Sequence, residues 1–227
     1  MSKKIPIFPL DVVLFPNQRI PLRIFEPRYR QMLDTCMSSD RIFGICKVKD
    51  DLQKSGWDAP AKIGTIASIM KCEDLDLTGT NYYIEVMGKE RFTIDELISP
   101  ALERPVDYNP PNSPSMRSML HQVSGEPLYF QGEVTLIPTM DEPVVGVEWT
   151  EIIRKLKARL RKAANKMGIE FRDFLGFIEN SGLEVKEGDA QGLYNIASMC
   201  SLELEIQQSI LEAMTVTEAA DLLNANL

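Results

Sequence analysis

Histidine is nearly absent from this chain. The single one, His121, lies in a stretch of low complexity. A Ser-His-Asp or Cys-His arrangement would have to be built on that residue, which argues against catalysis of the triad type. Cysteine is scarce too. Cys36, Cys46, Cys72 and Cys200 stand far apart and form no Cys-x-x-Cys pair. They read as small buried hydrophobes in a reducing compartment, not as a disulfide frame or a zinc site. The sequence has no Gly-x-Ser-x-Gly elbow, His-Glu-x-x-His pair, Walker sequence or Gly-x-Gly-x-x-Gly turn. Gly88-Lys89 lacks the upstream glycine and the following Ser or Thr of a phosphate loop. No catalytic residue, metal ligand or cofactor is assigned. No apolar run approaches the ~20 residues that span a bilayer. Pro6, Pro9 and Asp11 break up what would be a signal-peptide core. The expectation is a cytoplasmic chain with no membrane partner.

What is present is the composition of a soluble globular protein, with 44% hydrophobic residues in 227, enough for one large domain or two small ones. The net charge is −8, and it is unevenly spread. Residues 1–105 carry 15 basic and 15 acidic side chains, whereas 106–227 carry 10 and 18. The β-rich half thus offers no basic face, and nucleic acid is not expected as a partner.

The most informative stretch is 5–33, punctuated by Pro6, Pro9, Pro16 and Pro21. Proline has no backbone N–H and is confined to strand starts, edges and turns. Residues 12–15 have a buried-strand composition, and Pro16-Asn17 is a turn signal. Ile20, Leu22 and Ile24 then alternate with Arg19, Pro21 and Arg23, which predicts a half-buried strand. Pro27 suits the first turn of a helix, and Tyr29, Met32, Leu33 and Cys36 continue it at helical spacing. Glu26, Arg28 and Arg30 are read as fixing the start of that helix. A carboxylate is favourable there, and arginine can bridge to strand carbonyls.

Pro9-Leu10, Val12-Val13, Phe15-Pro16, Pro21-Leu22 and Ile24-Phe25-Glu26-Pro27-Arg28-Tyr29-Arg30 with Met32-Leu33 resemble the start of the Lon substrate-binding (Lon N-terminal) domain, in its free-standing bacterial form. Residues 64–69, 82–94 and 198–227 are similar to later parts of the same domain. The resemblance covers most of the chain apart from about 108–132. It implies an α+β fold: a β pseudo-barrel similar to the PUA fold over 1–140, then an α-helical bundle over 141–227. It also implies a module that engages polypeptide without the ATPase and Ser–Lys protease domains of full-length Lon. The family occurs in an E3 ligase substrate receptor as well, so an adaptor role is compatible. The alternative is a small-ligand protein or enzyme with a pocket at the barrel–bundle junction.

Further along, 41–48 and 62–72 read as strands, with Gly64 marking a bulge or a close backbone approach. Residues 50–60 read as a loop in which Trp57 packs back. Residues 81–87 and 91–97 read as a hairpin about Gly88-Lys89. Residues 133–138 resume strand character and are expected to return to the first sheet. Thr150, Asp189, Ser201 and Thr217 are candidate N-caps of helices, and Gly168 a stop. Met167, Met199 and Met214 are expected as core filler. Arg154, Lys155, Lys157, Arg159, Arg161, Lys162 and Lys166 form a basic helix face. It can meet a membrane surface or an acidic partner, but it reads first as a solvated face beside an acidic bundle.

Residues 126–132 remain. Glu126, Leu128, Tyr129, Phe130, Gln131 and Gly132 resemble the recognition site of the tobacco etch virus protease. The expectation is that 108–132 is an exposed loop, read as an engineered insert in preference to a natural loop with a coincidental match, lying outside the fold and open to cleavage between Gln131 and Gly132.

Overall fold

The computed structural model describes residues 3–77, 79–106, 108, 125–143, 147–180, 188–200 and 202–227. Packing divides the chain into two units, Met1–Pro138 and Thr139–Leu227. The first holds strands β1 (Lys3–Leu10), β2 (Arg19–Ile24), β3 (Ile42–Lys54), β4 (Trp57–Pro60), β5 (Ile63–Asp74), β6 (Tyr82–Ile98) and β7 (Phe130–Leu136), with one helix, α1 (Pro27–Met37), between β2 and β3. The second holds α2 (Val147–Met167), α3 (Phe171–Asn180), α4 (Ala190–Met199), α5 (Leu204–Glu212) and α6 (Val216–Asn226).

The strands close into a ring in the order β1-β7-β6-β5-β3, and a parallel pairing of β1 with β3, Ile7 opposite Gly44, completes it. Closure removes edges from the ring. Two short strands hang off it, β2 on β6 and β4 on β3. Each carries a proline, Pro21 and Pro60, and β2 also exposes Arg19 and Arg23. These are the devices by which natural sheets keep an open edge from recruiting another chain.

Alternation sorts the barrel's apolar side chains into two clusters. Ile5, Ile7, Cys46, Ile66, Phe92, Ile94, Phe130 and Val134 fill one. Phe8, Ile24, Phe43, Ile45, Ile84 and Val86 pack with Tyr29, Met32, Leu33 and Cys36 of α1 in the other. Phe92 fits because its neighbours lack side chains. A Cβ on Gly44 would lie 2.5 Å from the ring's Cζ, and one on Gly64 would lie 2.4 Å from the Ile45 carbonyl oxygen.

Two strand readings change at one place. Residues 12–15 form no strand, although Val13, Leu14 and Phe15 are buried. Tyr82–Ile98 is one continuous strand with no hairpin at Gly88-Lys89. Gly88 is instead where the 12–18 segment crosses β6: a Cβ there would lie 2.2 Å from the Phe15 carbonyl oxygen. The Asn17 N–H donates to the Gly88 carbonyl at 2.9 Å, and the Gly88 N–H donates to the Gln18 carbonyl at 2.8 Å. The crossing segment needs no ladder because side chains satisfy its backbone. Buried Thr65 donates its hydroxyl to the Leu14 carbonyl at 2.5 Å, and the Phe15 N–H donates to Gln18 Oε1 at 2.9 Å.

Residues 50–60 also differ from the loop expected of them. β3 runs through to Lys54 and turns at Ser55-Gly56, both at positive φ, into β4. In the helical unit, α2 begins before Thr150, and the last helix is capped by Thr215 in place of Thr217. Thr215 accepts the Glu218 N–H at 3.2 Å, while Glu218 reaches back past the cap to the Met214 N–H at 2.9 Å, a variant of the capping box displaced by one residue. Asp189 caps α4 through the Gly192 N–H at 2.7 Å, and Gly168, at φ 67, ends α2. Ser201 lies outside the described residues. Met167 and Met214 are exposed and do not fill the core.

The crossing at Gly88 sets a test. Gly88→Ala is expected to destabilise the protein by ~2–3 kcal/mol or more, because the obstructing atom is backbone and cannot rotate away. Gly176→Ala, in a helix with open space around it, is expected to be neutral or stabilising by up to ~1 kcal/mol. Urea unfolding of the two variants distinguishes them, and equal stability would refute the crossing.

Candidate functional site

Among the described residues, no group of His, Cys, Asp and Glu side chains is arranged to hold a metal ion. The thiols are poorly suited to nucleophilic chemistry. Burial pushes Cys36 up to about 12 and Cys200 up to about 11, the latter despite Arg159 nearby. Cys46 is wholly buried and is pushed up further still. Cys72 is partly exposed and is raised by burial and then by Asp34 and Asp74. A protonated, buried thiol is inert.

The most organised polar cluster is built on the start of α1. The Arg28 guanidinium lies 3.9 Å from the centre of the Trp57 ring and 4.2 Å from that of Tyr29, with Tyr108 at 5.5 Å. Its Nε donates to Glu26 Oε2 at 2.9 Å, and the Tyr108 hydroxyl donates to the same oxygen. Burial holds the Tyr108 phenol well above its ordinary range even with Arg28 beside it, so the phenol keeps the proton it donates. Trp57 Nε1 donates to the Leu102 carbonyl at 2.9 Å, and Arg104 pairs with Asp58 at 3.3 Å.

The cation is therefore enclosed by three rings and neutralised by one carboxylate, all from the chain itself. This is a latch joining α1, β4 and residues that follow β6, among them Leu102, Arg104 and Tyr108. Arg28 braces the start of α1 through the Trp57 and Tyr29 rings and not through strand carbonyls, while the Glu26 carboxylate pairs with Arg28 and makes no hydrogen bond to the helix N-terminus. Arg30 reaches a carbonyl, that of Gly79, at 3.1 Å, and that carbonyl belongs to a turn. Tyr108 could not be assigned from the sequence, because its partners in the latch, Glu26, Arg28 and Trp57, lie more than 50 residues away.

The expectation for 126–132 is corrected. This segment is docked into the barrel. Leu128, Tyr129 and Phe130 are 4%, 2% and 1% exposed. Gln31 of α1 clasps the approach, accepting the Leu128 N–H at 2.8 Å and donating to the Glu126 carbonyl at 3.0 Å. The Pro127 carbonyl accepts the Ala101 N–H at 2.9 Å, and the Tyr129 hydroxyl meets Thr35 Oγ1 at 3.2 Å. Phe130, Gln131 and Gly132 begin β7. Gln131 pairs with Pro6 on one side and Ile98 on the other, and Gly132 with Ile5 and Leu97. The Gln131–Gly132 bond thus lies inside a strand bordered on both sides. The Pro/Ser-rich residues upstream (109–124, outside the described residues) misdirected the reading. The alternation of Phe130, Gly132 and Val134 was the signal for a strand.

Leu75 and Leu77 are exposed at the turn between β5 and β6, and Met70 is exposed within β5 before it. Met70, Leu75 and Leu77 are more than half exposed, Leu77 at 91% and at φ 56. The turn under them is tightly held. Asp74 accepts the N–H groups of Asp76 and Gly79 at 3.2 and 3.0 Å, and the Leu75 N–H donates to the Asn81 carbonyl at 2.8 Å. Arg30 secures it from α1. A leucine in left-handed backbone on an ordered turn presents its side chain at little further entropic cost, which suits apolar contact with another chain.

Two outcomes follow. Tobacco etch virus protease should leave the native protein intact and cut it between Gln131 and Gly132 only after denaturation. Rapid native cleavage would mean the strand is not seated. Ellman's reagent at about pH 8 should titrate one thiol quickly, Cys72, and all four after denaturation. Raising the pH favours the thiolate, so Cys200 should follow before Cys36. More than one fast thiol at about pH 8 would contradict the burial.

Comparison with known proteins fits this geometry. The family model of the ATP-dependent protease La (LON) substrate-binding domain matches residues 4–225. A Lon protease of Flavobacterium johnsoniae is 25% identical over 206 residues, 88% of this chain and 23% of that protein. Protein cereblon of Danio rerio is 28% identical over 97 residues, 42% of this chain and 22% of cereblon. The chain thus spans less than a quarter of these relatives. Among solved structures, a Lon N-terminal domain protein from Xanthomonas campestris has a TM-score of 0.62 at 18% identity, with 97% of each chain covered. The N-terminal domain of a Mycobacterium avium complex Lon protease has a TM-score of 0.60 at 18% identity, covering 97% of this chain and 96% of that one. A barrel closed by β1 and β3, a helical unit after it and a match over nearly the whole length lead to one conclusion: the chain belongs to the Lon substrate-binding domain family.

Proposed function

We propose that this chain is a non-catalytic polypeptide-binding module that recognises unfolded or partly unfolded protein in the cytoplasm. The observation that carries the reading is the family match over residues 4–225, to a domain described as substrate-binding. Two features of the molecule support it. Three of the four thiols are buried, all four are shifted toward the protonated form, and the best-ordered cationic cluster is consumed internally by Glu26 and three aromatic rings. The barrel also exposes apolar side chains, Leu75 and Leu77 on a braced turn and Met70 on the strand leading to it. The equal numbers of acidic and basic side chains in 1–105 favour polypeptide over nucleic acid as the partner. No helix is long and apolar enough to cross a membrane among the described residues.

Fluorescence anisotropy with reduced, carboxamidomethylated ribonuclease A, a permanently unfolded chain, tests the reading. Saturable binding is expected, with no new fragments on a gel and no phosphate released from ATP. Leu75→Ser with Leu77→Ser should weaken binding by about tenfold at unchanged melting temperature, since each leucine contributes apolar area that a serine does not. Absence of binding would sink the proposal. So would cleavage that survives repurification and is lost on a point mutation.

A further inference from the structure

The helical unit carries a charged surface that apolar recognition leaves unused. α2 has seven basic side chains between 154 and 166 and no acidic one between Ile152 and Met167. Three of the seven are engaged within the unit. Lys155 and Arg159 donate to the carbonyls of Asn224 and Asn226 at 2.6 and 3.3 Å, where cations complement the C-terminal end of α6. Arg154 makes a two-pronged bond to Glu151.

Lys157, Arg161, Lys162 and Lys166 are exposed, and among the described residues none of them forms an ion pair with the acidic side chains of the unit. Arg161 lies 4.9 Å over the Phe171 ring, which orients it without neutralising it. Among the described residues, the acidic side chains expected as a counterweight from 167–227 form no ion pair with this face. Lys157 with Arg161, and Lys162 with Lys166, are like charges at i,i+4, a spacing that costs helix stability until an anion relieves it.

The shape of the patch selects among anions. The apolar stripe of α2, Ile152, Leu156, Leu160 and Ala164, is buried, so the helix has no face to insert into a lipid surface. At about 100° per residue Lys157 with Arg161 and Lys162 with Lys166 line the two flanks of the helix's exposed half, and the strip between them runs about 14 Å along the axis, roughly four residues of extended chain. A long nucleic acid would run off this patch onto a unit that carries 9 basic and 15 acidic side chains over 139–227. Just beyond the last cation, Met167 and Ile169 are exposed at 62% and 38%.

We propose that this face of α2 docks a short acidic run of a polypeptide, with an adjoining apolar residue resting on Met167 and Ile169. The inference rests on the polypeptide-binding reading and adds a charge preference to it.

The test uses the whole protein and a fluorescein-labelled peptide of six consecutive glutamates flanked by leucines, with its glutamine counterpart. The acidic peptide should bind about tenfold more tightly at low salt, and the gap should close as added salt screens the patch. Lys157→Gln, Lys162→Gln and Lys166→Gln together should abolish that preference. They should leave the far-ultraviolet circular dichroism and the binding of alkylated ribonuclease A unchanged. Lys62→Gln, on the barrel, should have no effect. If the triple variant loses helix, Lys162→Gln alone is read the same way, with a partial loss expected. Equal binding of the two peptides, or a preference that survives the substitutions, overturns this inference and leaves the polypeptide reading standing. So does a preference for vesicles containing phosphatidylserine over the acidic peptide. Failure to bind every peptide and alkylated ribonuclease A overturns both.

Discussion

The carbonyl of Phe15 resting on the bare backbone of Gly88 is the constraint on which the barrel unit depends. β6 serves two neighbourhoods. Its first half pairs with β2 and β5, and its second half pairs with β5 and β7. Between them the 12–18 segment must pass over the strand at hydrogen-bonding distance, which only a residue without a Cβ allows. Burying three successive apolar residues, Val13, Leu14 and Phe15, outside any ladder then leaves backbone groups to satisfy. Thr65 and Gln18 supply those bonds. With the crossing in place, β2 lies along β6, α1 follows at once, and the helix is delivered onto the cluster around Phe43, Ile84 and Val86.

The family's most recognisable residues hold that helix where the crossing delivers it. Glu26, Arg28 and Arg30 look catalytic in a list, but each is bound to the chain's own groups. Arg28 stacks on Trp57 and Tyr29, Glu26 accepts from Arg28 and Tyr108, and Arg30 braces the turn that presents Leu75 and Leu77. A desolvated cation is costly unless it is paired and surrounded, and here both conditions are met. The motif thus reports on architecture. The surfaces proposed for recognition lie elsewhere, and their residues are unremarkable one at a time: leucines of a braced turn, and lysines of a helix whose apolar side is already packed.

The two surfaces differ in physical character. The β5–β6 turn offers apolar area, whose contribution changes little with salt. The α2 face offers cations within about one Debye length of one another at ~0.1 M salt, whose effect is screened. A polypeptide with both an apolar stretch and an acidic run could use either surface, and ionic strength would shift the balance between them.

Local features were legible in the sequence because they depend on neighbours within a few residues. The alternation of β2, Pro27 opening α1, Asp189 capping α4 and Gly168 ending α2 all rest on periods or caps of two to four positions, and the spacing of 9–33 was enough to show the family. What the sequence could not show were approaches between segments far apart along the chain. Gly88 reads as a turn because its real partner, Phe15, is 73 residues away, and the 126–132 segment reads as a loop because the partners of its approach and of its strand residues lie in α1, β1 and β6. Residues 50–60 were polar enough to pass for a loop, and only pairing with β3 made β4 a strand. The basic helix carried the same ambiguity: its sequence specifies seven cations, but only folding decided which three would meet partners and which four would stay open to solvent. Periodicity is a property of one segment, whereas contact, burial and neutralisation belong to pairs of segments, so the tertiary structure alone decides them.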